Sequence, residues 1–282
     1  MTIQISVCIC TRNRPDDLAK AIESIQKSSF PVYEIIVSDD STDSKTEDLL
    51  RHHFRDVIYV QGPRKGLCAN RNNALTKARG THVMFMDDDV IMRIDFIETI
   101  VAKLNHAMEG EHKLIIVTGI ENKNGSQVYP HDQSFLGYQR KPYKNENLMT
   151  VVINSTVFPM TLFNIIKFDE HLIYGYDEVD LTTRAIKCGY KIILCEEASN
   201  NHYPSNQNRD YYLPVQEASR IYVTFKRYCK TENSTIKAYL FFLIASCHVV
   251  VSKLKSNGLA GFKDAFNTLK ISHRYIQNMS QY

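Results

Sequence analysis

The chain has 282 residues, 44% of them hydrophobic and 23% charged, a composition that excludes a disordered protein and allows one sizeable core. Its formal net charge is only +3, and its basic residues form no recognisable reader of bases, so no nucleic-acid partner is expected. The seven cysteines are odd in number and lack C-x-x-C spacing, which points away from a disulfide framework or a zinc site and toward a reducing, cytoplasmic setting.

The opening "MTIQISVCICTRNRP" has no basic region before its apolar stretch and no small-residue cleavage site, so it reads as a first strand over 4–10 rather than a signal peptide. Further apolar runs of strand length follow at 33–38, 57–61, 82–86 and 114–120. They are continuous rather than alternating, as strands covered on both faces should be. Helical segments separate them. The first starts at Pro15 and places Leu18, Ile22 and Ile25 on one side. The second has Ser44 three residues before Glu47, the spacing of a capping box. The third spans about 67–79 and is closed by Gly80. This βαβ alternation predicts an α/β protein with an open, mostly parallel sheet and helices on both faces.

After residue 120 the character changes. The polar stretch 121–147 reads as a long irregular segment. A helix then follows "GYDEVD" to Cys188, with Gly189 as its stop, and "YKIILC" is a last short strand. From about 210 the pattern is helical, giving a division into 1–209 and a basic C-terminal helical region, 210–282. Residues 211–282 carry ten Lys/Arg against three Asp/Glu, while the rest carries 24 against 28. A basic tail of this kind suits an anionic membrane or polymer, and equally suits ordinary solvated helix faces. The run "AYLFFLIASCHVVV" at 238–251 is shorter than the roughly 20 residues of a spanning helix and is expected as a packed helix.

In open sheets of this type ligands bind beyond the carboxyl ends of the strands. The polar clusters sit there: "TRNR" (11–14), "DDSTD" (39–43), "GPRKG" (62–66) and "DDD" (87–89). Asp87 and Asp89 can share one side of the chain, and two carboxylates with room for water suit Mg²⁺ or Mn²⁺. A solvated turn is the bland alternative, disfavoured by the apolar flanks "VMFM" and "VIM". Arg64, Lys65 and Arg71 near a helix N-terminus could seat a diphosphate, although neither G-x-G-x-x-G nor a P-loop is present. Asp180, four residues before Arg184, reads as a helix ion pair. Asp177 and Glu178 at the helix start either meet the helix dipole or face a crevice, where a carboxylate can take a proton from a substrate hydroxyl. His202, in what reads as a loop, could complete a coordination shell begun by carboxylates.

In this order, "VCICTRNRPDDLAKAIESI", "EIIVSDDSTD", "GLCANRNNAL", "MFMDDDV" and "YDEVDLTTRAIKCGYKI" resemble glycosyltransferase family 2, inverting enzymes with the GT-A fold. The resemblance covers residues 3–204 and implies transfer of a sugar from a nucleoside-diphosphate sugar, UDP being the commonest donor base, to a glycan or lipid-linked glycan acceptor. It implies that Thr11 and Arg14 line the nucleotide pocket, that Asp39 or Asp40 reads base or ribose, and that Arg71 lies near the diphosphate. Asp87 and Asp89 match the outer acids of the D-x-D motif, holding ribose and a Mn²⁺ or Mg²⁺ ion, with Asp88 between them. His202 is similar to a metal-ligating histidine of some members. The family commonly has a Glu-Asp pair whose second acid is the base. Here the order is Asp177 then Glu178, so Glu178 is the base by position and Asp177 a competitor. The family's Gly-rich segment and following arginine are absent, and only Asn154 remains.

Together these features imply polysaccharide biosynthesis in the cytoplasm, with peripheral contact through 211–282 at the inner face of the cell membrane. A nucleotidyltransferase acting on sugar phosphates is an alternative, weakened because "CTRNRPDD" has no glycine. A non-catalytic glycan- or nucleotide-binding module is another, weakened by the coexistence of a D-x-D and a base.

Overall fold

A computed structural model describes residues 2–110, 114–143, 147–204 and 209–279. The chain opens as β1 (Ile5–Thr11), α1 (Pro15–Gln26), β2 (Glu34–Asp39), α2 (Lys45–His53), β3 (Ile58–Gln61), α3 (Leu67–Leu75) and β4 (His82–Asp87), followed by β5 (Val90–Ile91) and α4 (Phe96–Met108). The first four strands lie parallel in the order β3-β2-β1-β4. Their continuous apolar runs feed two cores, because successive side chains leave a strand on opposite faces. Ile5, Val7, Ile9, Met84 and Met86 meet α1, α2 and α4 on one side. Cys8, Ile36, Val83 and Phe85 meet the second core. There Phe85 packs edge-on against Phe158, Phe163 and Phe168, a burial of about 2–3 kcal/mol for the one side chain.

Two local expectations change. Ser44 already has helical dihedrals and its hydroxyl donates to Asp48 Oδ2 at 2.9 Å, so no capping box forms. The third helix ends at Leu75 rather than 79. Gly80 serves instead to let the chain pass β1, since a Cβ there would lie 2.6 Å from the Gln4 carbonyl oxygen.

The stretch 121–147 is more ordered than its polarity suggests, although 144–146 lie outside the described residues. β6 (Ile115–Lys123) turns through Asn124 and Gly125, with φ of 51° and 76°, into β7 (Ser126–Val128). This is the Asn-Gly hairpin signal, with both turn residues left-handed. β8 (His131–Gln133) and β9 (Gln139–Pro142) form a second hairpin. β10 (Thr156–Pro159), not anticipated, slots antiparallel between β4 and β6 and leads into α5 (Met160–Phe163) and α6 (Asp177–Lys187). The last strand is long rather than short. β11 (Lys191–His202) follows β6 in parallel, and an irregularity between Leu194 and Ser199 carries it through a polar second half.

The C-terminal region comprises α7 (Arg209–Lys226), a π-helical turn at Arg227–Thr231, α8 (Thr235–Asn257) and α9 (Gly261–Gln277). Ala218, Tyr222 and Val223 of α7 and Tyr275 of α9 enter the second core. α7 is also tied to α6 by a buried ion cluster. Lys226 Nζ lies 2.6 Å from Asp169 Oδ2 and 2.9 Å from Asp180 Oδ1, and the Tyr222 hydroxyl donates to Asp169 at 2.7 Å. The expected packed helix at 238–251 lies within the 23 residues of α8, but it is packed on one face only, by Ala238, Phe241, Ala245 and Val249.

Candidate active site

The carboxyl ends of β1, β2 and β4, the N-terminus of α6 and the end of β11 meet at one edge of the sheet. Asp87 ends β4, where its N–H donates to Asn154 Oδ1 at 2.9 Å. Asp88 turns inward and is fully buried. Thr11 Oγ1 and Arg14 Nε donate to it at 2.6 and 3.0 Å. Burial still pushes its carboxyl up to about 7, the Arg14 charge offsetting only part of the lost hydration. Asp89 turns outward again and accepts from Arg14 Nη1 at 2.9 Å. Thr11 and Arg14 therefore brace the acidic turn from the end of β1.

His202 is a strand residue rather than a loop residue. The antiparallel pairing of β11 with β5 sets it opposite Val90, next to the acidic turn. Its Nε2 lies 3.3 Å from Asp89 Oδ1, and its Nδ1 is held 3.0 Å from Glu121 Oε2. Burial opposes the imidazolium, but the bonds to Asp89 and Glu121 outweigh it and raise the ring to about 9. A carboxylate oxygen beside an imidazole nitrogen, with a second carboxylate orienting the ring, is the donor chemistry of a divalent metal site. Among the described residues no three His, Cys, Asp or Glu groups converge on one cation position. Asp89 and His202 thus supply the donor types for two positions of such a site.

At the start of α6 the two acids are treated differently. Asp177 is buried and ion-paired with Arg71 Nη1, while Arg71 Nη2 reaches Asp87 Oδ1 at 3.2 Å. Burial disfavours the Arg71 charge, yet the carboxylates of Asp177 and Asp87 raise its pKa overall. Glu178 is half-buried and accepts from Gln139 Nε2 of β9 at 3.3 Å. Desolvation, then the neighbouring Asp177, pushes its carboxyl up to about 7. Tyr176, just before this pair, has φ of 63°, a left-handed conformation uncommon outside glycine and frequent at functional sites. Asp180 pairs with Arg184 Nε at 2.9 Å, as its spacing predicts.

At the end of β2, Asp39 accepts the Ser41 N–H at 2.9 Å and faces the Tyr59 hydroxyl at 3.4 Å. Asp40 accepts the Arg64 N–H at 2.8 Å. Burial pushes both carboxyls above the usual range.

Glu121, Gln139 and Tyr174 escaped the sequence reading. The Tyr174 phenol is pushed up to about 12 by burial and then by the carboxylates of Asp87 and Asp177. Its place three residues before Asp177 was the available signal. Glu121 and Gln139 carried none, being 81 and 39 residues from the groups they hold.

A mostly parallel sheet of this order, with acids gathered at its carboxyl edge, is the GT-A arrangement of nucleotide-sugar transferases. The chain belongs to glycosyl transferase family 2, whose family model matches residues 6–169. It is 36% identical over 111 residues to a Campylobacter jejuni GalNAc(5)-diNAcBac-PP-undecaprenol beta-1,3-glucosyltransferase, covering 36% of this chain and 35% of that protein. It is 26% identical over 125 residues to the Escherichia coli UDP-Glc:alpha-D-GlcNAc-diphosphoundecaprenol beta-1,3-glucosyltransferase WfaP, covering 41% and 50%. Staphylococcus aureus TarS superposes with a TM-score of 0.63 at 16% identity, covering 99% of this chain and 50% of that one. The matched regions thus span about a third to a half of these proteins.

Proposed function

We propose that the chain moves a hexose with inversion from a nucleoside-diphosphate sugar, UDP-linked, to a hydroxyl of a lipid-linked glycan. The observation that carries this is the division of labour at the start of α6. Asp177 is ion-paired with buried Arg71, whereas half-buried Glu178 is oriented by Gln139; burial pushes both carboxyls up, that of Glu178 to about 7. A carboxylate poised near 7 is suited to take the proton of an acceptor hydroxyl. One base on the acceptor side suffices for a single displacement, so no enzymic nucleophile is required.

On the donor side, Asp39 and Asp40 would read base or ribose, and Thr11 and Arg14 would line the nucleotide pocket while fixing Asp88. Arg71, at the Asp87 end of the crevice, would lie near the diphosphate. Asp89 and His202, with Asp87 beside them, would hold Mn²⁺ or Mg²⁺, which when bound supplies Lewis-acid stabilisation of the departing diphosphate. The diphosphoundecaprenol named for both relatives supports a lipid-linked acceptor, and with it polysaccharide biosynthesis at the cytoplasmic face of a membrane. Residues 1–209 would form the transferase unit and 210–282 a helical region serving it.

Thermal unfolding with UDP, GDP, dTDP and CDP, each with and without Mn²⁺, tests the donor half. A ligand at 100 times its dissociation constant adds about 2.7 kcal/mol, a shift of several degrees. The expected result is a Mn²⁺-dependent shift for UDP that Asp89→Ala abolishes. If no nucleotide moves the midpoint with any metal, the transferase reading loses its physical support.

A further inference from the structure

α8 is apolar on two opposite faces. Ala238, Phe241, Ala245 and Val249 recur at helical spacing and are buried against Ile221, Phe225 and Tyr228. On the other side Ile236, Leu240, Leu243 and Val251 are exposed, Ile236 by 84% and Leu243 by 63%. A helix with water on its outer face should be polar there, so this second stripe implies a second apolar environment. The patch continues past the helix end. Leu259, at the tip of the α8–α9 hairpin, is 85% exposed, and Phe262 and Phe266 follow on α9.

The surroundings of the patch select its occupant. Between 235 and 277 there are six Lys/Arg and a single acid, Asp264, which accepts from Asn257 Nδ2. Lys263, Lys270 and Arg274 are exposed on α9, where Lys263 is adjacent in sequence to Phe262. A second copy of the chain would bring two such basic edges together, at a cost from like charge. An anionic lipid surface complements both the apolar stripe and its charge. The segment Thr235–Gln277 is long and apolar enough to cross a membrane, but the inner face of α8 is built into the protein, so the helix lies along a bilayer rather than through it.

We infer that the outer stripe of α8, the hairpin tip at Leu259 and the aromatic-basic edge of α9 form a docking surface for an anionic lipid bilayer. This places the site as well as the chain. His248, on the flank of α8, contacts Tyr138, with Nδ1 3.4 Å from the phenol oxygen, and the next residue, Gln139, holds Glu178. An acceptor anchored in the bilayer would therefore be presented beside Glu178. That last step alone rests on the transferase reading.

Co-sedimentation of the full chain with phosphatidylcholine vesicles, with and without phosphatidylglycerol, tests the surface. The expected result is binding that requires phosphatidylglycerol and weakens with salt. Leu240→Glu combined with Leu243→Glu should lower the partition coefficient by about tenfold or more, as should Lys263→Glu with Lys270→Glu. All four residues are exposed, so circular dichroism and the unfolding midpoint should not change. If wild type stays in the supernatant with phosphatidylglycerol vesicles, the inference is overturned. It is equally overturned if wild type is a dimer by sedimentation equilibrium and the double leucine variant is a monomer, since the stripe then joins two copies. Nucleotide-dependent thermal shifts on the same samples separate the two ideas. Vesicle binding without any such shift keeps the docking surface and removes the transferase.

Discussion

The guanidinium of Arg71 is buried against the carboxylate of Asp177, 106 residues further along the chain. That contact holds one of two adjacent acids in a buried ion pair and leaves Glu178 outside it. Glu178→Gln should lower kcat by about 10²- to 10⁴-fold without lowering the unfolding midpoint and while leaving nucleotide binding close to wild type. Steady-state kinetics beside a thermal-shift titration measures both. Asp177→Asn should behave differently, leaving a buried guanidinium short of a partner. A loss of about 3–5 kcal/mol of stability is expected by urea denaturation. If the two variants exchanged these phenotypes, Asp177 would be the base.

The state of Glu178 also predicts a pH profile. Its carboxyl is raised from 4.5 to about 7 by burial first and by Asp177 second, and only the ionised form accepts a proton. kcat/KM should therefore rise with pH through about 7 and level off above it. The stability term has the opposite sign. A raised folded-state value means the protonated carboxyl favours the fold, so its contribution is complete below 4.5 and is lost as pH rises through about 7. Glu178→Gln should remove that portion of the stability slope in urea titrations at successive pH values.

Lys226 bridges Asp169 and Asp180 from the C-terminal region. Burial would raise Asp169, but Lys226, Tyr222 and His171 lower it well below the usual carboxylate range. Lys226→Met should leave buried Asp169 without its lysine and Asp180 with Arg184 alone, costing about 3–5 kcal/mol as read by urea denaturation. Asp180 lies on the helix that carries Glu178 in its first turn, so a fall in kcat should accompany the lost stability. If activity per folded molecule is unchanged, α7 supports the fold without positioning the base.

Gly66 precedes α3 with φ of +110°, and a Cβ there would lie 2.7 Å from Ile173 Cα. The neighbouring Leu67 N–H donates to the Ile173 carbonyl at 2.8 Å, joining α3 to the loop that leads into α6. Gly66→Ala should destabilise by about 1–3 kcal/mol in thermal denaturation and weaken nucleotide binding through the displaced Arg71.

Much of the fold was legible. The runs at 4–10, 33–38, 57–61, 82–86 and 114–120 are the parallel strands within a residue or two, except that the last continues to Lys123. What failed did so for identifiable reasons. The apolar run of β11 stops at Cys195 and its second half, "EASNNH", holds only Ala198 among polar residues, yet pairing with β6 and β5 keeps it extended to His202. The hairpin at Asn124-Gly125 was hidden in a segment judged by polarity, although its dipeptide named the turn. α8 was expected to be packed because its run is apolar. The structure does pack one face of it, and leaves the opposite face, equally apolar, exposed.

The sequence alone determined the alternation of strands and helices, the acids at strand ends and the family, because these are written in short-range periodicity and in motifs contiguous along the chain. The tertiary structure decided that Arg71 takes Asp177 and leaves Glu178, that strand register brings His202 beside Asp89, and that one stripe of α8 faces outward. Each depends on groups many residues apart, whose meeting is set by how whole elements pack, and no local pattern encodes that distance.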